Sequence, residues 1–222
     1  YASYVTGVSS STAVTNNYVS GQFANCENLQ QVILPANLEA IGSLVFYNCP
    51  KLTTLVYEGY AGVGNALPKT MTELLTRAFE GSGITNLTFE GALSVLPQYA
   101  FYNTKNLRTI SFAAGSKIEA IEKYTFANAE SLESVNIPDT VKSIGVNAFS
   151  HCESLTALAI PANVVKVGDY AFEYTGLKYL DVSNVTDFGK SVFRYSENLE
   201  TVTLNAKLSK ITSGMFFGCT GL

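Results

Sequence analysis

Residues 126–149 read FANAESLESVNIPDTVKSIGVNAF, and residues 149–172 follow the same pattern as FSHCESLTALAIPANVVKVGDYAF. Counted from the leading Phe, both copies have Leu at +6, aliphatic residues at +9 and +11, and Pro at +12. Aliphatic residues follow at +15 and +18, then Gly, and then Ala before the next Phe. Chance does not produce so many matches at fixed spacing, so this pattern indicates a repeat protein.

The repeat extends along most of the chain. The steps between its leading Phe residues are close to 23 residues, apart from one step of 33. We predict one continuous domain over residues 1–222, with a cap or partial repeat in 1–22 and about nine repeats in 23–222. The last repeat is incomplete at Leu222, so we expect the chain to come from a longer protein. The leading residues are Phe23, Phe46, Phe79, Phe101, Phe126, Phe149, Phe172, Phe193 and Phe216.

A single unit of this length cannot bury its own apolar side chains, whereas stacked units bury a continuous core. The Leu-x-x-Val-x-Ile segment alternates at its end as a short strand does, and the following Pro, which lacks an N–H, ends that strand. Val-x-x-Ile-Gly predicts a second short extended segment. Ala-Phe-x-x-Cys predicts a turn or one helical turn that returns the chain. Stacking these coils gives parallel β-sheet and a buried Phe column.

The composition excludes several classes of protein. Charged residues make up 14% of the 222 residues, against about 25% in a typical protein. The net charge of −4 offers no basic surface for nucleic acid. The apolar runs are too short to cross a bilayer as a helix. Thr, Ser, Asn and Gln must therefore cover the surface, which suits a regular β-rich protein.

The complete motif, Phe-x-x-Cys-x-x-Leu-x-x-Val-x-Ile-Pro-x-x-Val-x-x-Ile-Gly-x-x-Ala-Phe, resembles the BspA-like leucine-rich repeats of bacterial and some protist surface proteins. The resemblance covers Phe23 to Leu222. It implies a curved, right-handed leucine-rich-repeat solenoid, mostly β with short helical turns, in a secreted or surface-anchored protein. It also implies an adhesive role toward a protein or glycan ligand, such as a component of the host extracellular matrix. The repeat from Phe46 is about ten residues longer than the motif, and the repeat from Phe172 is two residues shorter.

No motif for catalysis, cofactor binding or metal binding is present. Cys26, Cys49, Cys152 and Cys219 all lie at +3, where other repeats have Ser, Thr or Ala, so we expect four free thiols in a slot for small side chains. His151 is the sole histidine, and no nucleophile accompanies it. The acidic pairs Glu119/Glu122 and Asp181/Asp187 could resemble a glycosidase pair, but they fall in variable, solvent-facing positions. We therefore expect no enzyme and no cofactor.

The first strand of each repeat should point its residues at +8 and +10 outward. Across the repeats these positions form a nearly uncharged surface, which we call the front stripe. It is either a ligand-binding face or a set of Thr and Ser ladders that favour strand structure. Its members are Gln31, Ile33, Thr54, Val56, Asn86, Thr88, Thr109, Ser111, Ser134, Asn136, Ala157, Ala159, Tyr179, Asp181, Thr201 and Thr203.

The insertion, near residues 58–74, follows the strand of Thr54 and Val56. Three glycines among residues 59–64 predict a flexible loop that projects from the end of the front stripe. Tyr57 and Tyr60 would offer contact area, so the loop is either a wall of the ligand site or a tolerated surface insertion. In the first case, deletion of 59–65 should weaken binding and leave the melting temperature unchanged.

Three functions remain open from the sequence. The first is an extracellular binding module. The second is a structural spacer that presents another domain away from a cell surface. The third is a non-catalytic repeat segment of a larger secreted enzyme.

Overall fold

The structure of the chain is a computed structural model that describes residues 21–222 and the backbone of residues 4–6. Its described residues form a stack of parallel β coils and contain no helix. The segment that returns the chain is therefore a turn, which is the first of the two alternatives considered above. The sequence predicts a cap in residues 1–22. Of these, only Tyr4–Thr6 and the start of the first turn, at Gly21 and Gln22, are among the described residues. The predicted curvature and superhelical hand remain predictions.

Most coils contribute a front strand and a short side strand. The front strands are β1 (Tyr4–Thr6), β2 (Gln31–Leu34), β4 (Thr54–Tyr57), β5 (Ala66–Leu67), β7 (Asn86–Phe89), β9 (Thr109–Phe112), β11 (Ser134–Val135), β14 (Tyr179–Val182) and β16 (Thr201–Leu204). The side strands are β3 (Ala40–Ile41), β6 (Glu73–Leu74), β8 (Val95–Leu96), β10 (Ala120–Ile121), β12 (Ser143–Ile144), β13 (Lys166–Val167) and β15 (Asp187–Phe188).

All of these strands pair in parallel with the equivalent strand of a neighbouring coil. The front strands form the sheets β1-β2-β4, β5-β7-β9-β11 and β14-β16, and a single bridge from Ala157 to Tyr179 connects the coil before β14. The side strands form the sheets β3-β6 and β8-β10-β12-β13-β15. Inward residues such as Leu55, Leu87 and Ile110 are buried between the two series. The predicted stack and its parallel sheets are confirmed.

The leading Phe residues form one continuous column along the third side of the coil. Consecutive ring centroids are 5.2–5.8 Å apart, and the planes of neighbouring rings differ by no more than 22°. The seven inner rings, Phe46 to Phe193, are at most 1% exposed. Phe23 and Phe216, at the two ends of the column, are partly buried. The predicted Phe column is confirmed, and it is fully buried where a ring lies on both sides.

The turn around each Phe has an unusual backbone. The residues at −2 and +2 have positive φ in all nine turns, with values between 51° and 78°. Tyr99, Arg77 and Leu44 are among them, although side chains other than Gly and Asn rarely adopt this conformation. In the eight turns from Phe23 to Phe193, the N–H groups at −2, 0 and +2 donate to carbonyls of the following repeat, as Leu44, Phe46 and Asn48 do to Thr76, Ala78 and Glu80. This ladder of hydrogen bonds holds each positive-φ residue of these eight turns in its conformation, because its N–H group is bonded to the following repeat.

The insertion is only partly the loop that the sequence suggested. Residues 58–64 form a loop, but Ala66–Leu67 is the front strand β5, which pairs with Thr88 and Phe89 of β7. Asn65, at 4% exposure, is buried beside it. The expectation of an entirely flexible, projecting segment is therefore wrong for 65–67. Deletion of 59–65 would remove buried hydrogen bonds, so an unchanged melting temperature is no longer expected.

Candidate binding surface

The front stripe is a continuous outward-facing surface on both sides of the insertion. Gln31 and Ile33 of β2 align with Thr54 and Val56 of β4. Beyond the insertion, the register aligns Asn86 with Thr109 and Thr88 with Ser111, and Thr109 with Ser134. Ala157 aligns with Tyr179, which in turn aligns with Thr201. The structure thus aligns the stripe residues of neighbouring repeats within three groups, 31–56, 86–134 and 157–203, in the order that the repeat predicted.

Exposure of the stripe increases toward its C-terminal part. The stripe residues of β2 to β9 are half-buried, whereas Ser134, Asn136, Tyr179 and Asp181 are exposed. Tyr179 is 60% exposed and lies next to the rung of Ala157 and Ala159. An aromatic ring beside two alanines is therefore the most prominent feature of this half of the stripe.

Two hydrogen bonds fix the polar groups around Tyr179. Its hydroxyl donates to Glu200 Oε2 at 2.5 Å, and this hydrogen bond raises the pKa of the phenol. Asp181 Oδ1 accepts the backbone N–H of Ser183 at 2.9 Å. Hydrogen bonds from Ser183 lower the pKa of the Asp181 carboxyl. The ring and the carboxylates are thus ordered before any ligand arrives, which reduces the entropy lost on binding.

A second aromatic group lies where β4 meets the insertion. The Tyr57 hydroxyl donates to Glu90 Oε2 at 2.6 Å, and this bond is the main reason that the pKa of Tyr57 rises to about 12. The ring of Tyr60 packs on that of Tyr57, with centroids 5.1 Å apart. Tyr60 also donates to the carbonyl of Val63 at 3.3 Å. The two predicted contact residues, Tyr57 and Tyr60, therefore form one cluster.

The course of loop 58–64 follows from the strands on either side of it. β4 and β5 belong to two different sheets, β1-β2-β4 and β5-β7-β9-β11, and the chain passes from one to the other through residues 58–65. The inner face is filled by the core, and residues 58, 59 and 61–64 are exposed. Val63, within this loop, is 99% exposed. The end of the loop lies close to the front stripe, because Gly64 is adjacent to the side chain of Asn86.

The residues considered for catalysis are separated and engaged in other contacts. Glu119 pairs with Lys142 at 2.9 Å, and Glu122 accepts the N–H of Gln98. Asp187 pairs with Lys166 at 3.0 Å. The ring of His151 stacks on Tyr174, with centroids 4.6 Å apart. Among residues 21–222, no group of three or more His, Cys, Asp or Glu side chains could hold a metal ion.

The four cysteines are free thiols in the slot at +3. Three of them donate to the carbonyl of the Phe one repeat earlier: Cys49 to Phe23 at 3.0 Å, Cys152 to Phe126 at 3.3 Å, and Cys219 to Phe193 at 2.9 Å. Burial raises the pKa of Cys49 to about 11 and that of Cys152 further. Such thiols are poor nucleophiles near neutral pH.

One cavity lies apart from the stripe, between β15 and residues 205–212. Its volume is about 170 Å³, and its lining includes Asp187, Lys207 and Lys210. In the same segment, Ile211 is 57% exposed, whereas the equivalent residues Ile144 and Val167 are buried. The cavity is smaller than the roughly 300–1,000 Å³ of small-molecule sites.

Comparison with known proteins agrees with this geometry. A family model described as a BspA type leucine rich repeat region matches residues 20–129 and 119–222 in six copies. The chain belongs to the BspA-type leucine-rich repeat proteins. No curated protein matches the chain significantly.

Several solved structures share the BspA-type fold. A leucine-rich repeat protein from Eubacterium ventriosum is 19% identical with a TM-score of 0.52, over 93% of this chain and 69% of that one. The T. pallidum leucine-rich repeat protein is 24% identical with a TM-score of 0.61, over 71% and 77%. A leucine rich cell surface protein from Faecalibacterium prausnitzii is 20% identical with a TM-score of 0.52, over 91% and 68%. At these identities, the likeness establishes the fold alone.

The sequence did not reveal three residues of the BspA-type stack that shape the stripe. Glu90 and Glu200 hold the two tyrosines, and Asn65 joins two front strands. Asn65 had a detectable signal, because Ala66-Leu67-Pro68 repeats the strand end seen in Asn136-Ile137-Pro138. The two glutamates had none, because their contacts depend on side-chain conformations across separate repeats.

A search of the described residues for a helix long and apolar enough to span a bilayer finds none.

Proposed function

We propose that this chain is a non-catalytic binding module of a secreted or cell-surface protein, and that it holds a protein partner on its front stripe. The observation that supports this is the alignment of nearly uncharged stripe residues between neighbouring strands in each of the front sheets. The centre of a protein–protein interface contains few charged residues and is enriched in aromatic residues. Tyr57, Tyr60 and Tyr179 provide such aromatic side chains.

Membership of the BspA-type family supports the same function. Repeat solenoids characteristically bind along their extended faces. One structure of the same fold comes from a protein described as a cell surface protein, which favours an extracellular location. The specific partners to be tested are a glycan and a protein component of the host extracellular matrix.

The test combines a binding screen with a matched pair of variants. The chain is screened against immobilised matrix proteins and a glycan array. Any ligand found is then measured against the double variant Thr109→Arg, Ser134→Glu. These residues are neighbours on the stripe, so the new charges can pair with each other while their bulk obstructs a ligand. We expect the affinity to fall at least tenfold.

The control carries the same pair of charges on the side sheet. Val165 and Thr186 are exposed and lie on adjacent repeats. Val165→Arg, Thr186→Glu should leave the affinity within about twofold. If the side-sheet variant loses binding and the stripe variant keeps it, the stripe is not the binding face. If no protein or glycan binds, the chain is a spacer.

A further inference from the structure

The front sheet contains a connection made by a side chain instead of a strand. β4 has no registered strand pair on the side of β5, but Asn65 lies between β4 and β7. The N–H of Leu55 donates to Asn65 Oδ1 at 2.8 Å, and Asn65 Nδ2 donates to the carbonyl of Thr53 at 3.0 Å. These are the two bonds that a neighbouring parallel strand would make with Leu55 and Thr53.

On its other side, Asn65 joins β7. Its Nδ2 also donates to the carbonyl of Asn86 at 3.0 Å, and its backbone N–H donates to Asn86 Oδ1 at 2.8 Å. The N–H of Thr88 donates to the carbonyl of Asn65 at 2.9 Å. A carboxamide offers an N–H donor and a carbonyl acceptor on one planar group, as a peptide group does, and Asn and Gln are the side chains that carry one.

The insertion adds a strand to the front of the coil and no element to its other two sides. On the front, β5 separates β4 from β7, which adds one strand spacing of about 4.8 Å. On the Phe side, the rings of Phe46 and Phe79 are 5.3 Å apart, as in the regular repeats. On the side sheet, β3 and β6 pair directly. An extra spacing of about 4.8 Å on one side of a coil about 10 Å thick corresponds to an angle of about 25°. We therefore expect the repeats before the insertion to be tilted by this angle against the repeats after it.

We propose that Asn65 is the positioning residue of the front face: its carboxamide replaces a missing peptide group and holds the insertion as a wedge. The wedge divides the front stripe into two surfaces that face different directions. Loop 58–64 connects β4 and β5 at the boundary between them. The division is a property of the fold, and only its consequence for a ligand depends on the proposed function.

The first experiment measures amide hydrogen exchange in variants of the full chain. Asn65→Ala removes the carboxamide, and Asn65→Asp replaces its donors with a carboxylate that faces the carbonyls of Thr53 and Asn86. Both variants should speed exchange in 54–57 and 86–89 at least tenfold, while exchange around the Phe column changes little. Unchanged exchange in both strands would overturn the proposal.

Asn136 provides the matched control. It also lies on the front stripe, but its Oδ1 only accepts, from the N–H of Phe112 at 3.2 Å. A carboxylate can accept this bond equally well, so Asn136→Asp should alter exchange less than threefold. A tenfold increase in this control as well would mean that any new charge on the stripe opens the sheet.

The second experiment does not depend on the stability of the point variants. Deletion of the ten residues 58–67 joins Tyr57 to Pro68 and leaves 23 residues from Phe46 to Phe79. The variant should fold, β4 should pair directly with β7, and nuclear Overhauser contacts should appear between the backbones of Leu55 and Leu87. A variant that fails to fold, or that folds without these contacts, would show that the insertion is a required part of the repeat and not a wedge.

Discussion

At the scale of the residue, five of the nine side chains in the slot at +3 of the described repeats donate a hydrogen bond to the preceding repeat. Cys49, Cys152 and Cys219 donate to a Phe carbonyl one repeat earlier, and Thr104 and Ser196 do the same with distances of 3.0 and 2.7 Å. The bond satisfies a second lone pair of a carbonyl that the turn leaves buried. Thiols are therefore interchangeable with hydroxyls in this slot.

Ala129 is the buried slot residue without a donor, and it provides a test of this interpretation. Ala129→Ser should place a hydroxyl within reach of the Phe101 carbonyl and raise the free energy of unfolding by about 0.5–1.5 kcal/mol. Thr104→Val, which removes a donor of similar shape, should lower it by a similar amount. Both values come from chemical denaturation. A destabilising Ala129→Ser would show that the slot excludes polar groups.

Tyr57 is expected to titrate later than ordinary tyrosines. Its hydrogen bond to the Glu90 carboxylate favours the protonated phenol and raises the pKa to about 12. The stabilisation by this bond is therefore present at neutral pH, and it is lost as the pH rises from about 10, the unfolded value, through about 12. Absorbance at 295 nm should show a late tyrosinate that is absent in Tyr57→Phe. Glu90→Gln should return Tyr57 to titration near pH 10.

At the scale of the element, the Phe column connects the repeats through their largest side chains. Phe126 is fully buried between Phe101 and Phe149, with centroid distances of 5.4 and 5.2 Å. Its removal leaves a cavity that neighbouring rigid rings cannot fill. The column therefore makes each repeat depend on both of its neighbours.

Phe126→Ala should lower the free energy of unfolding by about 3–5 kcal/mol. Phe216→Ala is the control, because Phe216 is only partly buried and has one neighbouring ring in the described column. Its cost should be less than half as large. Equal costs in urea denaturation would mean that the position in the column does not matter.

The elements also show what sequence reasoning can reach. Phe126, Leu132 and Ile144 recur at fixed spacing, and burial follows directly from that spacing, so the stack and its core could be predicted. The positive φ of Tyr99 and Arg77 could not be, because these side chains do not favour it and the ladder to the next repeat imposes it. The positions of the front stripe could be predicted from the alternation of residues along each strand. The proposed division of the stripe could not be, because it depends on the side chain of Asn65 between two strands.

At the scale of the whole molecule, most of the ion pairs connect one repeat to the next. Lys105–Glu130, Arg108–Glu133 and Lys166–Asp187 have N–O distances of 2.7–3.0 Å, and all of these side chains are well exposed. Exposed pairs contribute about 0–1 kcal/mol each and are screened by salt. They favour the correct register of repeats more than they stabilise the stack.

We therefore expect the stability of the stack to depend little on ionic strength. Between low salt and 1 M NaCl, the midpoint of urea unfolding should shift by an amount equivalent to no more than about 1 kcal/mol. A larger loss in high salt would show that the ion pairs, and not the apolar column, hold the repeats together.

The uniform direction of the turn ladder gives the molecule an electrical polarity. Between positions −2 and +2 of the described turns, every backbone hydrogen bond between repeats runs from an N–H to a carbonyl of the following repeat. Peptide dipoles of about 3.5 D that are aligned in this way add together, as they do along a helix. The bonds between parallel strands alternate in direction and nearly cancel. The described part of the stack therefore has a dipole whose positive end points toward Phe216 and whose negative end points toward Phe23.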